Sequence, residues 1–138
     1  MEPNKKKIRV VGAAIIDSGK VLVAQRPVSD KAYKSLKWEF PGGKVEDGET
    51  EEAAIRREIR EVLECEIDVE ILLPEIEHEY PDFIIRMTIC ICHLVGTTTP
   101  TCLEHNAICW MSPDALSNLD WAAADARCYP MVADSLNQ

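Results

Sequence analysis

A glycine turn and several carboxylates lie close together in the middle of the sequence. Gly43 is followed by Glu49 after five intervening residues, and Arg57, Glu58 and Glu61 come soon afterwards. A glycine turn lets backbone groups approach a phosphate closely. Carboxylates on an adjoining helix supply the hard oxygen ligands that bind Mg²⁺. The stretch therefore indicates a site that holds a divalent cation against a phosphate.

These acidic residues are predicted to lie on a helix that begins after Thr50 and ends at about Leu63. Thr50 is a favoured N-cap residue, and the two glutamates that follow it suit the positive end of the helix dipole. Since helical positions advance by about 100° per residue, Glu58 and Glu61 share one flank and can reach a single metal site. The neighbouring arc is apolar and is expected to face the sheet; it contains Ile55, Ile59, Val62 and Leu63.

Residues 43–65 resemble the Nudix signature, Gly-x5-Glu-x7-Arg-Glu-aliphatic-x-Glu-Glu-x-Gly-aliphatic, which marks enzymes that cleave nucleoside diphosphates linked to another group. Two positions depart from it. Val62 stands where the second glutamate of the Glu-Glu pair belongs, and Glu64 stands where the glycine belongs. Because Glu64 lies roughly 120° around the helix from Glu58, it is not expected to replace the missing carboxylate.

The resemblance implies an enzyme that uses Mg²⁺, for which Mn²⁺ can substitute. It implies that Glu58 is a metal ligand or general base, that Glu61 is a second metal ligand, and that Arg57 orients a glutamate of the motif. Two further metal ligands are implied, the Gly42 carbonyl and Glu104 in a threonine-rich loop. The alternative for the two glutamates of the helix is a solvated face paired with neighbouring arginines.

Four other segments resemble the MutT branch of the family, and most closely its CTP pyrophosphohydrolases: 11–16, 24–27, 38–46 and 121–125. Such enzymes convert a nucleoside triphosphate to the monophosphate and pyrophosphate, and some prefer oxidised or methylated bases. The resemblance therefore implies a CTP-like, dCTP-like or oxidised nucleotide as substrate. The alternative is a Nudix-fold nucleotide-binding module whose catalysis is impaired because Val62 replaces a metal-binding glutamate.

The same resemblance assigns eight residues to the substrate. In it Arg26 contacts the phosphates, Phe40 and the glycines line the cleft, and Asp125 reads the base. The full set is Arg26, Phe40, Gly42, Gly43, Lys44, His78, Tyr80 and Asp125. Simpler interpretations stay open for four of them: a surface cation for Arg26, a structural residue for His78, a core residue for Tyr80, and an N-cap of the last helix for Asp125.

The pattern of apolar residues predicts an α+β fold. Strands are predicted over 8–16, 21–25, 66–72, 75–80, 83–95 and 107–111, with an ordered loop over 39–49, a short helix capped by Ser112 and a C-terminal helix over about 124–136. Elements of this kind form a sheet covered by helices. The resemblance implies the same architecture, a Nudix-type mixed β-sheet sandwiched between helices (α/β/α). Residues 1–138 are expected to form a single domain.

The composition restricts the partners. The formal net charge is −9 and no basic stripe is present, so no nucleic-acid polymer is expected as a partner. The apolar runs are too short to span a bilayer, and the N-terminus does not resemble a signal peptide. We therefore expect a cytoplasmic protein with no membrane partner, either a monomer or a homodimer. The six cysteines are expected to be buried, reduced thiols.

Overall fold

The computed structural model describes residues 5–137 of the 138-residue chain. In this range the chain forms eight strands, three α-helices and one 3-10 helix. The strands are β1 (Lys7–Asp17), β2 (Lys20–Gln25), β3 (Trp38–Glu39), β4 (Gly42–Lys44), β5 (Ile67–Leu72), β6 (Ile76–Glu79), β7 (Ile84–Leu94) and β8 (Ala107–Met111). The helices are α1 (Glu51–Leu63), α2 (Ala123–Ala126) and α3 (Tyr129–Leu136), and the 3-10 helix spans Pro113–Asn118.

The strands form one mixed sheet around β1. This strand pairs in parallel with β7 from Lys7 to Ile16 and pairs antiparallel with β2 and β4. The order across the sheet is β3-β2-β1-β7-β5, with β8 paired to β2 and β6 paired to β7. Strands β1 and β2 form a hairpin. Its two turn residues, Ser18 (φ 53°) and Gly19 (φ 76°), both adopt the left-handed conformation that such a tight turn favours.

Alternating apolar residues give the central strands two buried faces. Along β1, Val11, Ala13 and Ile15 pack on the face that α1 covers, and Ala14 packs on the face that α2 and α3 cover. On β7, Cys90 and its neighbours alternate between the same two faces. The sheet is therefore enclosed by helices on both sides, which confirms the predicted α+β fold with a mixed sheet sandwiched between helices.

Helix α1 begins and ends for local reasons. The Thr50 side chain accepts a hydrogen bond from the Ala53 amide at 3.1 Å, which confirms the predicted N-cap. The helix ends at Glu64, which has a left-handed backbone (φ 54°) and donates its amide hydrogen to the Arg60 carbonyl. Glycine is the usual residue at such a position because it has no Cβ to clash. The predicted buried arc is confirmed by Ala54, Ile55, Ile59, Val62 and Leu63.

The segment 39–49 contains more regular structure than the predicted loop. Its first residue ends the short strand β3, and Gly42 begins β4, which pairs with β1 opposite Gly12. A Cβ on Gly42 would lie 1.9 Å from the Val11 carbonyl oxygen. Only a glycine therefore allows β4 to approach β1 this closely, and this long-range pairing is invisible in a local pattern.

The prediction of a single C-terminal helix over 124–136 is wrong. Two helices occupy this region, α2 and α3, and they are separated at Arg127 and Cys128. Pro130 lies in the first turn of α3 and has no amide hydrogen with which to continue the hydrogen bonds of α2. Ser112 precedes the 3-10 helix as predicted, but its side chain makes no capping hydrogen bond.

The cysteines are free thiols: Cys65, Cys90, Cys92 and Cys128 are buried, and Cys102 and Cys109 are exposed. The expectation of reduced thiols is confirmed, but burial holds for four of the six. Burial raises the pKa of Cys65 to about 11 and that of Cys90 to about 12, so these thiols are protonated and unreactive. Within residues 5–137, none of the helices is long and apolar enough to cross a membrane.

Candidate active site

Arg57, near the middle of α1, connects two parts of the site. One is the loop from Gly43 to Glu49, called here the glycine loop, and the other is the flank of α1 that carries Glu58 and Glu61, called here the acidic flank. Its guanidinium makes a bidentate ion pair with Glu49, with Nε to Oε2 at 2.8 Å and Nη2 to Oε1 at 2.9 Å. Nη2 also donates to the Lys44 carbonyl at 2.9 Å. Nη1 donates to Glu58 at 2.8 Å and lies 3.5 Å from Glu61. One arginine thus fixes the loop and both helix carboxylates relative to one another.

The two carboxylates that accept hydrogen bonds from Arg57 at 2.8 Å, Glu49 and Glu58, have pKa values shifted in opposite directions. Hydrogen bonds from Arg57 and from the Glu46 amide lower the pKa of Glu49 to about 2. Glu58 behaves in the opposite way, because burial raises its pKa more strongly than the hydrogen bond from Arg57 lowers it. The negative charges of Glu61 and Glu104 raise the pKa of Glu58 further.

Glu58 is held against the glycine loop. Its side chain is 15% exposed, and a Cβ on Gly43 would lie 2.1 Å from its Oε1 atom. Any residue with a side chain at position 43 would displace the Glu58 carboxylate. The first glycine of the signature therefore has a definite steric function here, which is to leave room for the glutamate fifteen residues later in the sequence.

The acidic flank offers oxygen ligands of the kind that suit a divalent cation. Glu58 and Glu61 are neighbours on α1, and the charge of Glu104 acts on Glu58 across the loop that precedes β8. Within the described residues, no three histidine, cysteine or carboxylate side chains lie close enough together to hold a metal on their own. Mg²⁺ commonly uses one or two carboxylates and takes its remaining ligands from water and substrate phosphate. The donor set fits a cation that binds together with a phosphate group.

Val62 leaves the acidic flank one carboxylate short. Its side chain is 6% exposed and packs in the apolar layer between α1 and the sheet, with Ile59 and Val11. The position that completes the glutamate pair of the signature therefore belongs to the core in this chain. Glu64 does not substitute for it, since Glu64 is exposed and forms the C-cap of α1.

A separate pocket opens on the face of the sheet that α2 and α3 cover. Its charged lining residues come from three parts of the chain, and its remaining walls are aromatic or aliphatic. The charged residues are Arg26, Lys34, Glu39 and Asp125, and the others are Tyr33, Tyr80, Phe83, Ile85, Met87 and Ala122. Tyr33 and Tyr80 stack with their ring centroids 5.2 Å apart. Aromatic walls with a few polar groups are typical of a pocket that binds a planar ring.

Asp125 is the most deeply buried charged residue of this pocket. It is 3% exposed, and its Oδ2 accepts a hydrogen bond from the Phe40 amide at 2.9 Å. Burial raises its pKa well above the usual value, and the nearby Glu39 charge raises it further. The alternative that Asp125 caps the last helix is wrong. The N-cap of α3 is Cys128, whereas Asp125 lies in α2 and accepts its hydrogen bond from the Phe40 amide, between β3 and β4.

Several residues that line this pocket were not predicted as functional, among them Glu39 and Tyr33. Glu39 lines the pocket, with its Oε1 atom 3.0 Å from Arg26 Nη1 and its Oε2 atom 2.9 Å from His105 Nε2. Tyr33 comes from the loop between β2 and β3, which has no periodic pattern. Glu39 lies within the segment 38–46 that resembles the MutT branch, so its position in that segment was the one available signal.

The other predicted substrate residues lie at different distances from the pocket. Tyr80 lines it, and the Tyr80 hydroxyl accepts a hydrogen bond from the Ala124 amide at 2.9 Å. His78 packs its ring edge against Tyr80 but is not a lining residue. The Phe40 ring is buried against Trp121, with centroids 5.0 Å apart, so it supports the cleft from within the core. The Lys44 side chain is exposed and lines a different surface cavity.

The chain and its fold match a known family. The NUDIX domain family matches residues 10–130 of the chain. The CTP pyrophosphohydrolase of Escherichia coli is 38% identical over 127 residues, which cover 87% of each chain. The 8-oxo-dGTP diphosphatase of Proteus vulgaris is 40% identical over 80 residues, which cover 57% of this chain and 70% of the relative. Among solved structures, the MutT protein of methicillin-resistant Staphylococcus aureus 252 is 41% identical, with a TM-score of 0.74 and coverage of 96% and 99%.

The chain belongs to the Nudix family of hydrolases, in its MutT-like branch.

Proposed function

We propose that this chain is a single-domain, Mg²⁺-dependent enzyme that hydrolyses a nucleoside triphosphate to the monophosphate and pyrophosphate. The observation that supports this most directly is the Arg57 network, which holds Glu58 and Glu61 on one flank of α1 beside the glycine loop. The names of the relatives support the same reaction class, since one is a CTP pyrophosphohydrolase and another an 8-oxo-dGTP diphosphatase.

The residues of the acidic flank are assigned roles that follow from their positions. Glu58, which is half-buried and has a raised pKa, accepts the proton of the attacking water. Glu61, together with Glu104 and the Gly42 carbonyl, supplies oxygen ligands, and Arg57 positions the carboxylates. Mg²⁺, when bound, offsets the charge of the phosphates and lowers the pKa of a bound water; Mn²⁺ is expected to substitute.

The pocket between Arg26 and Asp125 is assigned to the nucleoside. Arg26 lies at the mouth of the pocket in an ion pair with Glu39, where it can also meet the phosphate chain. The stacked tyrosines provide flat surfaces for a base. Asp125 and Glu39 provide acceptors for its amino or imino hydrogens, and a protonated Asp125 provides one donor. A cytosine or an oxidised purine, each with adjacent donors and acceptors on one edge, suits this lining.

A screen of pyrophosphate release tests the proposal. The purified protein is incubated with CTP, dCTP, 5-methyl-dCTP, dGTP and 8-oxo-dGTP, with Mg²⁺, with Mn²⁺, and with a chelator. We expect hydrolysis of at least one of these nucleotides, with pyrophosphate and the monophosphate as products in equal amounts, and none in the chelator. Release of inorganic phosphate alone, or turnover that persists in the chelator, would exclude the proposed reaction.

A second candidate function is a nucleotide-binding module with impaired catalysis. The observation that favours it is the burial of Val62, which leaves the acidic flank without the second glutamate of the pair. Removing one carboxylate from a site of several ligands can lower the rate by orders of magnitude. Calorimetry with the same nucleotides distinguishes the two functions, since tight Mg²⁺-dependent binding without pyrophosphate release supports the module.

A further inference from the structure

His105 is buried, yet only one of its two ring nitrogens has a hydrogen-bond partner. The side chain is 7% exposed, and its Nε2 atom lies 2.9 Å from the Oε2 atom of Glu39. Its Nδ1 atom is buried without a partner in the part of the chain that the structure describes. Buried polar atoms in proteins nearly always have partners, so an orphan calls for an explanation.

The contact with Glu39 determines which tautomer of His105 is favourable. A proton on Nε2 is donated to the carboxylate, whereas a proton on Nδ1 alone would leave two acceptors, Nε2 and Oε2, facing each other. An apolar side chain of similar size would fill the same space without leaving a buried acceptor unpaired. What the imidazole adds at this position is therefore the hydrogen bond from Nε2 to Glu39.

Both oxygens of the Glu39 carboxylate have a hydrogen-bond partner, and each keeps one lone pair for a further donor. Its Oε1 atom accepts a hydrogen bond from Arg26, so each oxygen of the carboxylate has one partner. The residue lines the pocket, and its charge acts on Asp125. Rotation of the Glu39 carboxylate would therefore move its negative charge and redirect the acceptor oxygens that a bound ligand meets.

The backbone beside His105 is fixed, so the histidine can act as an anchor. The Asn106 amide donates to the Gln25 carbonyl at 2.8 Å, and the Asn106 side chain donates to Gln25 Oε1 at 2.6 Å. These contacts attach the end of the loop to β2, next to Arg26 in sequence. The loop thus presents the imidazole to Glu39 from a defined position.

We propose that His105 is a positioning residue that orients the Glu39 carboxylate in the pocket and thereby sets the preference among bases. The inference rests on the proposed function, because it takes the pocket to be the site of the base. His105 itself does not contact the substrate; it acts through Glu39.

A pair of substitutions at position 105 tests the inference. His105→Leu removes the donor and keeps an apolar side chain, whereas His105→Gln retains an N–H donor that can reach Glu39. For each protein, kcat and KM are measured with CTP, dCTP, dGTP and 8-oxo-dGTP. We expect His105→Leu to change the ratio of kcat/KM between the best and the second-best nucleotide by about fivefold or more, mainly through KM, and His105→Gln to restore most of the parental ratio.

Melting temperatures separate positioning from a structural role. A His105→Leu protein with an altered melting temperature but the parental ranking of nucleotides would overturn the inference. The same conclusion follows if His105→Gln fails to restore the ranking although it is folded. Glu39→Gln provides the matched check, because it should shift the ranking in the same direction as His105→Leu, and the double variant should add little to either.

The test remains informative if the protein proves to be a binding module. Dissociation constants for the same nucleotides then replace kcat/KM, so failure of hydrolysis and failure of positioning are separate results. A parent protein that binds none of the nucleotides would overturn both proposals. Independently of any nucleotide, ¹⁵N NMR of the His105 imidazole should show a proton on Nε2 and none on Nδ1. A proton on Nδ1 alone would overturn the hydrogen bond from Nε2 to Glu39 and with it the inference.

Discussion

The acidic flank of α1 and the pocket beside α2 are built in different ways. The flank comes from one continuous segment, 43–61, in which the glycine loop and the helix are held together by Arg57. The pocket takes Arg26, Glu39, Tyr80 and Asp125 from regions that are far apart in the sequence. One region is a local motif, and the other exists only after the sheet has formed.

The two regions also surround their least exposed carboxylate differently: Glu58 is half-buried and Asp125 is buried. Glu58 has a guanidinium at 2.8 Å, which limits the rise in its pKa and keeps the charged form accessible. Asp125 has a backbone amide as its partner and another carboxylate nearby, so its pKa is raised well above the usual value. A carboxyl group that is removed from solvent beside a cation can therefore still lose its proton and act as a base. A carboxyl group that is buried beside an anion keeps its proton to a higher pH.

Glu58→Gln should produce the largest effect on the flank. The substitution keeps the shape of the side chain but removes the charge that a base or metal ligand needs, so we expect turnover to fall by about 100-fold or more. Nucleotide ranking should be unchanged, because the pocket is not altered. Pyrophosphate release by the variant is compared with that of Glu52→Gln, which lies on the same helix and pairs with Arg56. A folded Glu58→Gln protein with parental turnover would remove Glu58 from the mechanism.

Val62→Glu should raise the Mg²⁺-dependent turnover of the acidic flank. It restores the glutamate of the signature four residues after Glu58, and we expect Mg²⁺-dependent turnover to rise by about tenfold, or roughly 1.4 kcal/mol. Because Val62 is buried, a polar side chain at this position should destabilise the fold by about 1–3 kcal/mol.

Val62→Gln is the matched control for this gain. The amide has nearly the same shape as the glutamate and should lower the melting temperature to a similar extent, but it lacks the charge. Increased turnover in the glutamate variant alone would assign the gain to the carboxylate. Equal turnover in the parent and Val62→Glu proteins would show that the flank is complete without this ligand or is limited by another group.

Asp125→Ala should change the preference among nucleotides more than it changes the turnover of the best one. It removes a buried partner of the Phe40 amide. If Asp125 contacts the base as proposed, nucleotides that use this group should lose several-fold in kcat/KM relative to those that do not. The measurement is the ranking over the nucleotide panel. The control is Asp114→Asn, an exposed aspartate of the 3-10 helix. A uniform loss across all nucleotides would assign Asp125 a structural role.

Asp125→Asn should change how stability depends on pH. Since the pKa of Asp125 is raised in the folded protein, the unfolded chain releases this proton at lower pH than the folded protein does. The free energy of unfolding therefore decreases as the pH rises from the usual aspartate pKa through the raised one. The asparagine variant has no such titration, so its stability should fall less across this window in denaturation curves at a series of pH values.

Glu64→Gly should have the smallest effect and should leave both regions unchanged. Glu64 adopts a left-handed backbone at the end of α1 (φ 54°), and glycine should relieve this strain by about 1 kcal/mol. Thermal denaturation measures the gain, and Glu64→Ala separates it from the removal of a charge, because alanine keeps the backbone penalty. A stabilised alanine variant would show that the charge, rather than the backbone, was unfavourable.

The sequence by itself determined the local features of this protein. The cap at Thr50, the apolar arc of α1, the hairpin at Ser18 and Gly19 and the alternation along β1 all follow from interactions between residues close in the chain. The acidic flank is also a local feature, because helical spacing alone places Glu58 and Glu61 side by side. The N-cap at Thr50, the apolar arc of α1 and the shared flank of Glu58 and Glu61 were predicted correctly.

Only the tertiary structure decided how distant segments meet. It paired Gly42 of β4 with Gly12 of β1 and assigned Asp125 to the Phe40 amide rather than to a helix cap. It also brought His105 and Arg26 to the two oxygens of Glu39. No local pattern encodes such distances, because burial and close approach are set by residues far away in the chain.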